Sequence, residues 1–233
     1  DFSQLMKMAG PRDARSHAYL GDFLRSQRDY RSAKEALDWA ILLDPELFLP
    51  YYSRGLLHHD LERFQEAISD FDRAINLDPG DAAAYKDRGK AYLRLGQKER
   101  AIEDLDKAIA LGRRLAPAHL LRGQVNLELD RYEAALVDLN EAVSLDPQSS
   151  LAFYSLGVAN LKLDRRNQAA VALEHSVLLS HVSAWSPDAF KLIVDYYHSG
   201  LDNKSALDRL NKNVLSDPED AIAYYLRGQI LSE

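Results

Sequence analysis

FLPYYSRGLLHHDLERFQEAISDFDRAINLDP, residues 48–79, decides the fold, because its pattern returns 34 residues later in AAAYKDRGKAYLRLGQKERAIEDLDKAIALGR, residues 82–113. Taking Ala14, Phe48, Ala82, Ala116 and Ser150 as position 1, five registers follow one another without a gap. Position 8 is Gly21, Gly55, Gly89, Gly123 and Gly157. Position 20 is Ala33, Ala67, Ala101, Ala135 and Ala169. Position 24 is large: Leu37, Phe71, Leu105, Leu139 and Leu173. Position 27 is Ala40, Ala74, Ala108, Ala142 and then Ser176, and position 4 is His17, Tyr51, Tyr85, His119 and Phe153. Asp-Pro closes three of the registers, at Asp44-Pro45, Asp78-Pro79 and Asp146-Pro147.

Positions 4, 7, 8 and 11 share one face of an α-helix, and positions 20, 24 and 27 share one face of a second. A glycine inside a helix costs about 0.5–1 kcal/mol relative to alanine. Its return at one register implies a steric gain: Gly at position 8 and Ala at position 20 let two backbones approach, and the bulky positions fill the space around them. The proline disfavours helical geometry in the Asp before it and ends the second helix. The spacing predicts helix pairs at 14–27 with 30–43, 48–61 with 64–77, 82–95 with 98–111, 116–129 with 132–145, and 150–163 with 166–180. One hairpin cannot bury its apolar surface alone, so the hairpins must stack.

This pattern resembles the tetratricopeptide repeat, a 34-residue helical hairpin that is among the standard examples of an internally repeating fold. The resemblance is strong over Ala14 to His181 and weak beyond. It implies an all-α fold, an α-α superhelix (solenoid) of stacked antiparallel hairpins. It further implies a non-catalytic scaffold that binds a peptide or helical segment of a partner protein in a concave groove lined by the first helices. The lining stripe is then positions 2, 5, 9 and 12, from which Tyr52, Leu56, Lys86, Lys90, Leu120, Gln124, Tyr154 and Val158 are the candidate partner-binding residues. Tyr52, Leu56, Leu120, Tyr154 and Val158 are expected to form an exposed apolar path, the kind of patch that marks an interaction site. Lys86 and Lys90 add a basic spot, so the expected ligand has apolar anchors and at least one carboxylate. The carboxylate clamp of chaperone-binding members is not assembled: Leu121 stands where that clamp needs Asn, and Ala18, Asp22 and Ser53 supply none of its residues.

The organisation expected is a lead-in over 1–13, five regular repeats over 14–183, a divergent sixth over 184–220 and a single terminal helix over 221–233. Arg113 stands where proline is expected, and Pro117 follows, which predicts an altered turn within an unbroken period. Three residues are inserted within His181–Ser186, and Ser186-Pro187 reads as an N-cap and first-turn proline. The sixth hairpin, about 187–199 with 203–215, has Val194 at position 8 and keeps Ala206 and Leu210, so it is expected to be re-angled. The terminal helix carries Tyr225, Leu226, Ile230 and Leu231, so either the natural chain continues or this end packs on something, a second copy included. Self-assembly through it or through the groove is the alternative function, and the interaction half of a larger enzyme is a third.

Composition narrows the classes. A net charge of −7, from 36 acidic and 29 basic residues, opposes nucleic-acid binding, which needs a basic footprint. No apolar run reaches the roughly 20 residues of a membrane span, so no membrane insertion is expected. The chain has no cysteine and no threonine. The first excludes disulfides without fixing the compartment, of which the cytoplasm is favoured; the second adds to a helix-forming bias. No phosphate loop, nucleophile elbow or dinucleotide fingerprint is present, so no enzyme activity and no cofactor are expected. His58 with Glu62 has the spacing of a metal pair, but His58 holds a packing register and has no third ligand, so no metal is expected. His17 and His119 are read as packing residues, and Asp70, Asp72, Glu103 and Asp104 as solvated second-helix acids. Asn203-Lys204-Ser205 is a glycosylation sequon that matters only in a secreted chain.

Overall fold

The computed structural model describes residues 13–112, 114–179, 191–195, 203–216 and 221–231. They divide between two compact units, Asp1–Ala118 and His119–Glu233. The first unit holds α1 (Ala14–Ser26), α2 (Tyr30–Leu43), α3 (Phe48–Asp60), α4 (Phe64–Leu77), α5 (Ala82–Arg94) and α6 (Lys98–Leu111). The second runs from within α7 (Ala116–Glu128) through α8 (Tyr132–Leu145), α9 (Ser150–Lys162), α10 (Arg166–Leu179), α11 (Asn203–Ser216) and α12 (Ala221–Leu231). No strand occurs among the described residues. The helices begin where the spacing places them, and first helices end one residue early because the linking turn takes that residue. Arg113, the insertion within His181–Ser186 and the Ser186-Pro187 cap lie outside the described residues. Of the helix expected at 187–199, residues 191–195 are described and helical.

Every hairpin of the five registers turns in the same way. Position 15 is left-handed in each: Arg28, Glu62, Asp130 and Asp164 have φ of 61, 58, 56 and 53°, and Gly96 has 73°. The amide at position 16 then donates to the carbonyl at position 11, as in Arg63 to His58 (2.8 Å) and Arg165 to Asn160 (2.9 Å). This closes the first helix with the six-to-one bond of a Schellman cap. Four of the five left-handed sites are not glycine, so the turn is held by the packing on either side of it.

The small residues do sit where helices meet. Ala33, Ala67, Ala101, Ala135 and Ala169 are wholly buried. A Cβ added at Gly157 would lie 2.7 Å from Leu173 Cγ, one at Gly123 2.7 Å from Leu139 Cγ, and one at Gly55 2.7 Å from the Phe71 ring. At Gly21 it would run into Leu37. Gly89 is the roomy member: its nearest neighbours, Ala101 O and Leu105 Cγ, are 3.4 Å away. In the second unit Ile193, Ala206, Leu210, Val214, Ala223, Leu226 and Ile230 join Leu173 and Val177 in one core, with Val194 half-buried against it. Ser176, the departure at position 27, is fully buried and exchanges hydroxyl-to-carbonyl bonds with Ser150 (2.8 and 2.9 Å).

The glycines therefore separate by experiment. Gly157→Ala is expected to lose about 1–3 kcal/mol in urea unfolding, because Leu173 must move. Gly89→Ala is expected to be neutral or stabilising by up to about 1 kcal/mol, since alanine prefers helix. Equal losses at both would contradict the close approach.

Candidate functional site

The candidate stripe is less exposed than its spacing anticipates. Tyr52, Leu56, Leu120, Tyr154 and Val158 are all half-buried. In the first unit neighbouring first helices touch, α1 with α3 and α3 with α5. In the first unit Tyr52 stacks on Phe48 at 5.5 Å, leans on Phe71 and donates its hydroxyl to Asp87 Oδ2 at 2.8 Å. Burial, and then the Asp87 charge, push the Tyr52 hydroxyl well above its ordinary pKa, so it stays a donor. Leu56 packs against the Phe71 cluster.

Asp87 gathers the local charge. It is buried, and its Oδ1 lies 3.3 Å from Lys86 Nζ and 3.5 Å from Lys90 Nζ. The two lysines thus share one carboxylate, which leaves one positive charge in excess. The Lys90 side chain is 39% exposed, against 17% for Lys86, so Lys90 is the one within reach of solvent. At the far end of the stripe, Arg25 pairs with Asp22 (3.1 Å) and Asp60 (2.8 Å).

The second unit supplies the other candidates. Leu120 and Leu127 pack on the Leu139–Leu156 cluster, and Tyr154 and Leu161 on the Leu173–Leu210 cluster. Gln124 Nε2 donates to Ser155 Oγ at 3.2 Å.

A second pattern, not anticipated from the sequence, lies at positions 7, 23 and 25. Arg54 holds Asp70 through Nε (2.9 Å) and Nη2 (2.7 Å), and reaches Asp38 of the preceding hairpin through Nη1 (2.7 Å). Arg88 does the same with Asp104 (2.8 and 2.6 Å) and Asp72 (2.6 Å). In the second unit Arg122 grips Asp138 at both oxygens, and His119 Nδ1 lies 3.2 Å from the same group. Burial alone lowers the Arg54 and Arg88 pKa, but the hydrogen bonds and charges of Asp70 and Asp104 outweigh it and raise both. Asp70 and Asp104 are therefore corrected: they are buried ion-pair partners, while Asp72 is half-buried and paired and Glu103 is exposed. The signal was available as Arg and Asp recurring 16 residues apart in repeats two to four. Both ends of the series lack it, with Leu20 and Ala36 in repeat one and Leu156 and Ala172 in repeat five.

His17 and His119 are buried, the former with Nδ1 3.0 Å from Asp13 O. His58 Nδ1 and His59 Nε2 are buried with no hydrogen-bond partner among the described residues. Among the described residues no group of three or more His, Asp or Glu is arranged to hold a metal. None of the described helices is long and apolar enough to cross a membrane.

The geometry is that of stacked helical hairpins, and the comparisons agree. The sequence profile of the tetratricopeptide repeat matches residues 20–82, 86–150 and 120–178. The chain belongs to the tetratricopeptide-repeat family. Comparison with curated proteins gives no match. Among solved structures it is similar to MamA at 25% identity, covering 69% of this chain and 94% of that one, with a TM-score of 0.64. YrrB, described as a repeat protein of this kind with an unusual peptide-binding site, is 22% identical over 82% of this chain and 97% of its own, with a TM-score of 0.64. A chain of the APC/C hetero-tetramer Cut9–Hcn1 is 19% identical over 99% of this chain and 46% of its own, with a TM-score of 0.68.

His58, whose Nε2 lies 3.6 Å from Asp70 Oδ2, and His59 give stability a pH dependence. Burial, opposed by the Asp70 charge, lowers the His58 pKa; burial, opposed by Asp60, lowers that of His59. The unfolded chain binds protons at about pH 6.5 that the folded chain refuses. Stability is thus flat above that pH and falls as pH drops below it. His58→Leu, the residue repeat one carries at this register as Leu24, is expected to flatten the fall in melting temperature between pH 7 and pH 5. An unaltered slope would assign the dependence to other groups.

Proposed function

We propose that this chain is a non-catalytic scaffold whose first-helix stripe holds a peptide or helical segment of a partner protein. The observation that carries the reading is the pair Lys86 and Lys90 around one buried carboxylate, Asp87. One cation in excess, beside the half-buried Tyr52 and Leu56, suits a ligand with a carboxylate next to an apolar anchor. In the second unit Tyr154 and Val158 offer apolar contact, and Leu120 and Gln124 extend that stretch. Membership of a family of interaction scaffolds supports the reading, as does the peptide-binding site that names one protein of this fold.

A second reading is self-assembly, favoured by α12, where Tyr224, Tyr225 and Leu231 are exposed. Sedimentation over a concentration series separates the two, because only self-assembly makes size rise with concentration.

The test of the first reading is a displayed library of acidic, apolar peptides selected against the protein, followed by titration of the enriched peptides. Lys90→Ala and Tyr154→Ala are expected to weaken binding by about 1 kcal/mol or more each, with Lys90→Ala also reducing its salt dependence. Tyr52→Ala and Lys86→Ala belong in the same series. Affinity unchanged in all four removes the proposal.

A further inference from the structure

Repeat five lacks the ion-pair rung, and a cavity of about 630 Å³ opens in its place. Position 7 is Leu156, position 23 is Ala172, and position 25 of the preceding repeat is Asn140, where the complete rungs of the first unit have Arg, Asp and Asp. All three residues line the cavity. The arginine that would serve this hairpin comes instead from α11: Arg209 holds Glu174 through both oxygens (2.8 and 2.7 Å). Leu156 and Asn160 lie two residues from Tyr154 and Val158, about 200° around α9, so the cavity is on the opposite side of that helix from the stripe.

The lining has a definite chemistry. Leu136, Leu156, Val171 and Ala172 make an apolar floor. Phe153 and His175 stack at 5.1 Å and 19° to form an aromatic wall. Asn160 is only 5% exposed; its Nδ2 is committed to Leu156 O at 2.9 Å, and its Oδ1 accepts no bond among the described residues. Asn140 repeats this arrangement, with Nδ2 on Leu136 O at 2.7 Å. The Asn160 carbonyl is therefore an acceptor without a donor among the described residues, while Asn140 is exposed. Arg165, exposed and paired with no carboxylate among the described residues, lines the cavity, as does Arg209, whose charge Glu174 meets; among the described residues no acidic side chain lines it. In a chain of net charge −7, the cation of Arg165 is a local reversal of sign.

We propose that this cavity takes a tryptophan side chain carried on an acidic segment of a partner polypeptide. The indole is flat and apolar, stacks on the Phe153–His175 wall, and has one N–H and no acceptor, which is what an unspent Asn160 Oδ1 requires. Acidic neighbours of that tryptophan meet Arg165. The volume lies within the range of about 300–1,000 Å³ typical of ligand pockets.

The probe is an Asp-Glu-Trp-Glu-Asp peptide carrying fluorescein on its amino terminus and amidated at its carboxyl terminus, read by anisotropy on the full chain. Saturable binding is expected. Exchanging the tryptophan for alanine, or the four acids for lysines, should cost about tenfold or more. Phenylalanine in its place should bind several-fold more weakly than tryptophan, and Asn160→Leu, the residue repeat one carries as Leu24, should erase that difference. The triple variant Asn140→Asp, Leu156→Arg, Ala172→Asp rebuilds the rung and fills the cavity, and should lose about tenfold while keeping its helical spectrum. Binding that is lost in Lys90→Ala but kept in the rebuilt-rung variant would place the peptide on the stripe and overturn the assignment. The assignment is overturned if the lysine peptide binds equally well, if Asn160→Leu keeps the tryptophan preference, or if the rebuilt rung binds as the wild type does. Trp39 of α2 is exposed, so self-association that competes with the peptide and vanishes in Trp39→Ala would give the cavity to a second copy, and would overturn it too.

Discussion

A large side chain at position 24, occupying the space where position 8 would carry its Cβ, is the contact on which this structure depends. Leu139 over Gly123, Leu173 over Gly157 and the Phe71 ring over Gly55 leave no room for even a methyl group. That contact sets how near the two helices of a hairpin come, and therefore where positions 7, 11 and 23 face one another. The left-handed residue at position 15 follows from it. Such a conformation costs about 1–2 kcal/mol in a residue other than glycine. It persists at Arg28, Glu62, Asp130 and Asp164 because the packed helices on both sides leave the turn no alternative.

Once the helices are that close, position 7 lies against positions 23 and 25, and its identity decides how the hairpin is closed. Arg54 and Arg88 each satisfy two carboxylates, one from their own hairpin and one from the hairpin before. Burying such charges is costly, so the rungs are better understood as fixing the register between hairpins than as a large net source of stability. Repeat one closes with Leu20 and Ala36 instead. Repeat five has the same apolar pair in Leu156 and Ala172 but retains the space, and its amides and cations give that space a binding chemistry. The family fold and the particular recognition chemistry thus reside in different registers of one repeat.

The fold was legible because small side chains are informative where they recur: a glycine in a helix is unfavourable unless something else gains. The candidate face was less so. The spacing placed Tyr52 and Leu56 on one stripe, but how far each is covered depends on how neighbouring first helices lean together. It is the Tyr52 hydroxyl reaching Asp87 that draws the ring down. The rungs escaped notice because each acid, taken alone on a second helix, looks like solvated surface. Only the paired recurrence of Arg and Asp carries the information. The roominess of Gly89 had no signal in its own register, where the same residue types stand as at Gly123.

The close approach is tested most directly by a double-mutant cycle on Gly123 and Leu139. If Leu139 occupies the volume a Cβ would need, Gly123→Ala is destabilising in the natural background and harmless once Leu139→Ala has vacated that space. The account expects a coupling energy of about 1–2 kcal/mol. Strict additivity of the two substitutions would contradict it.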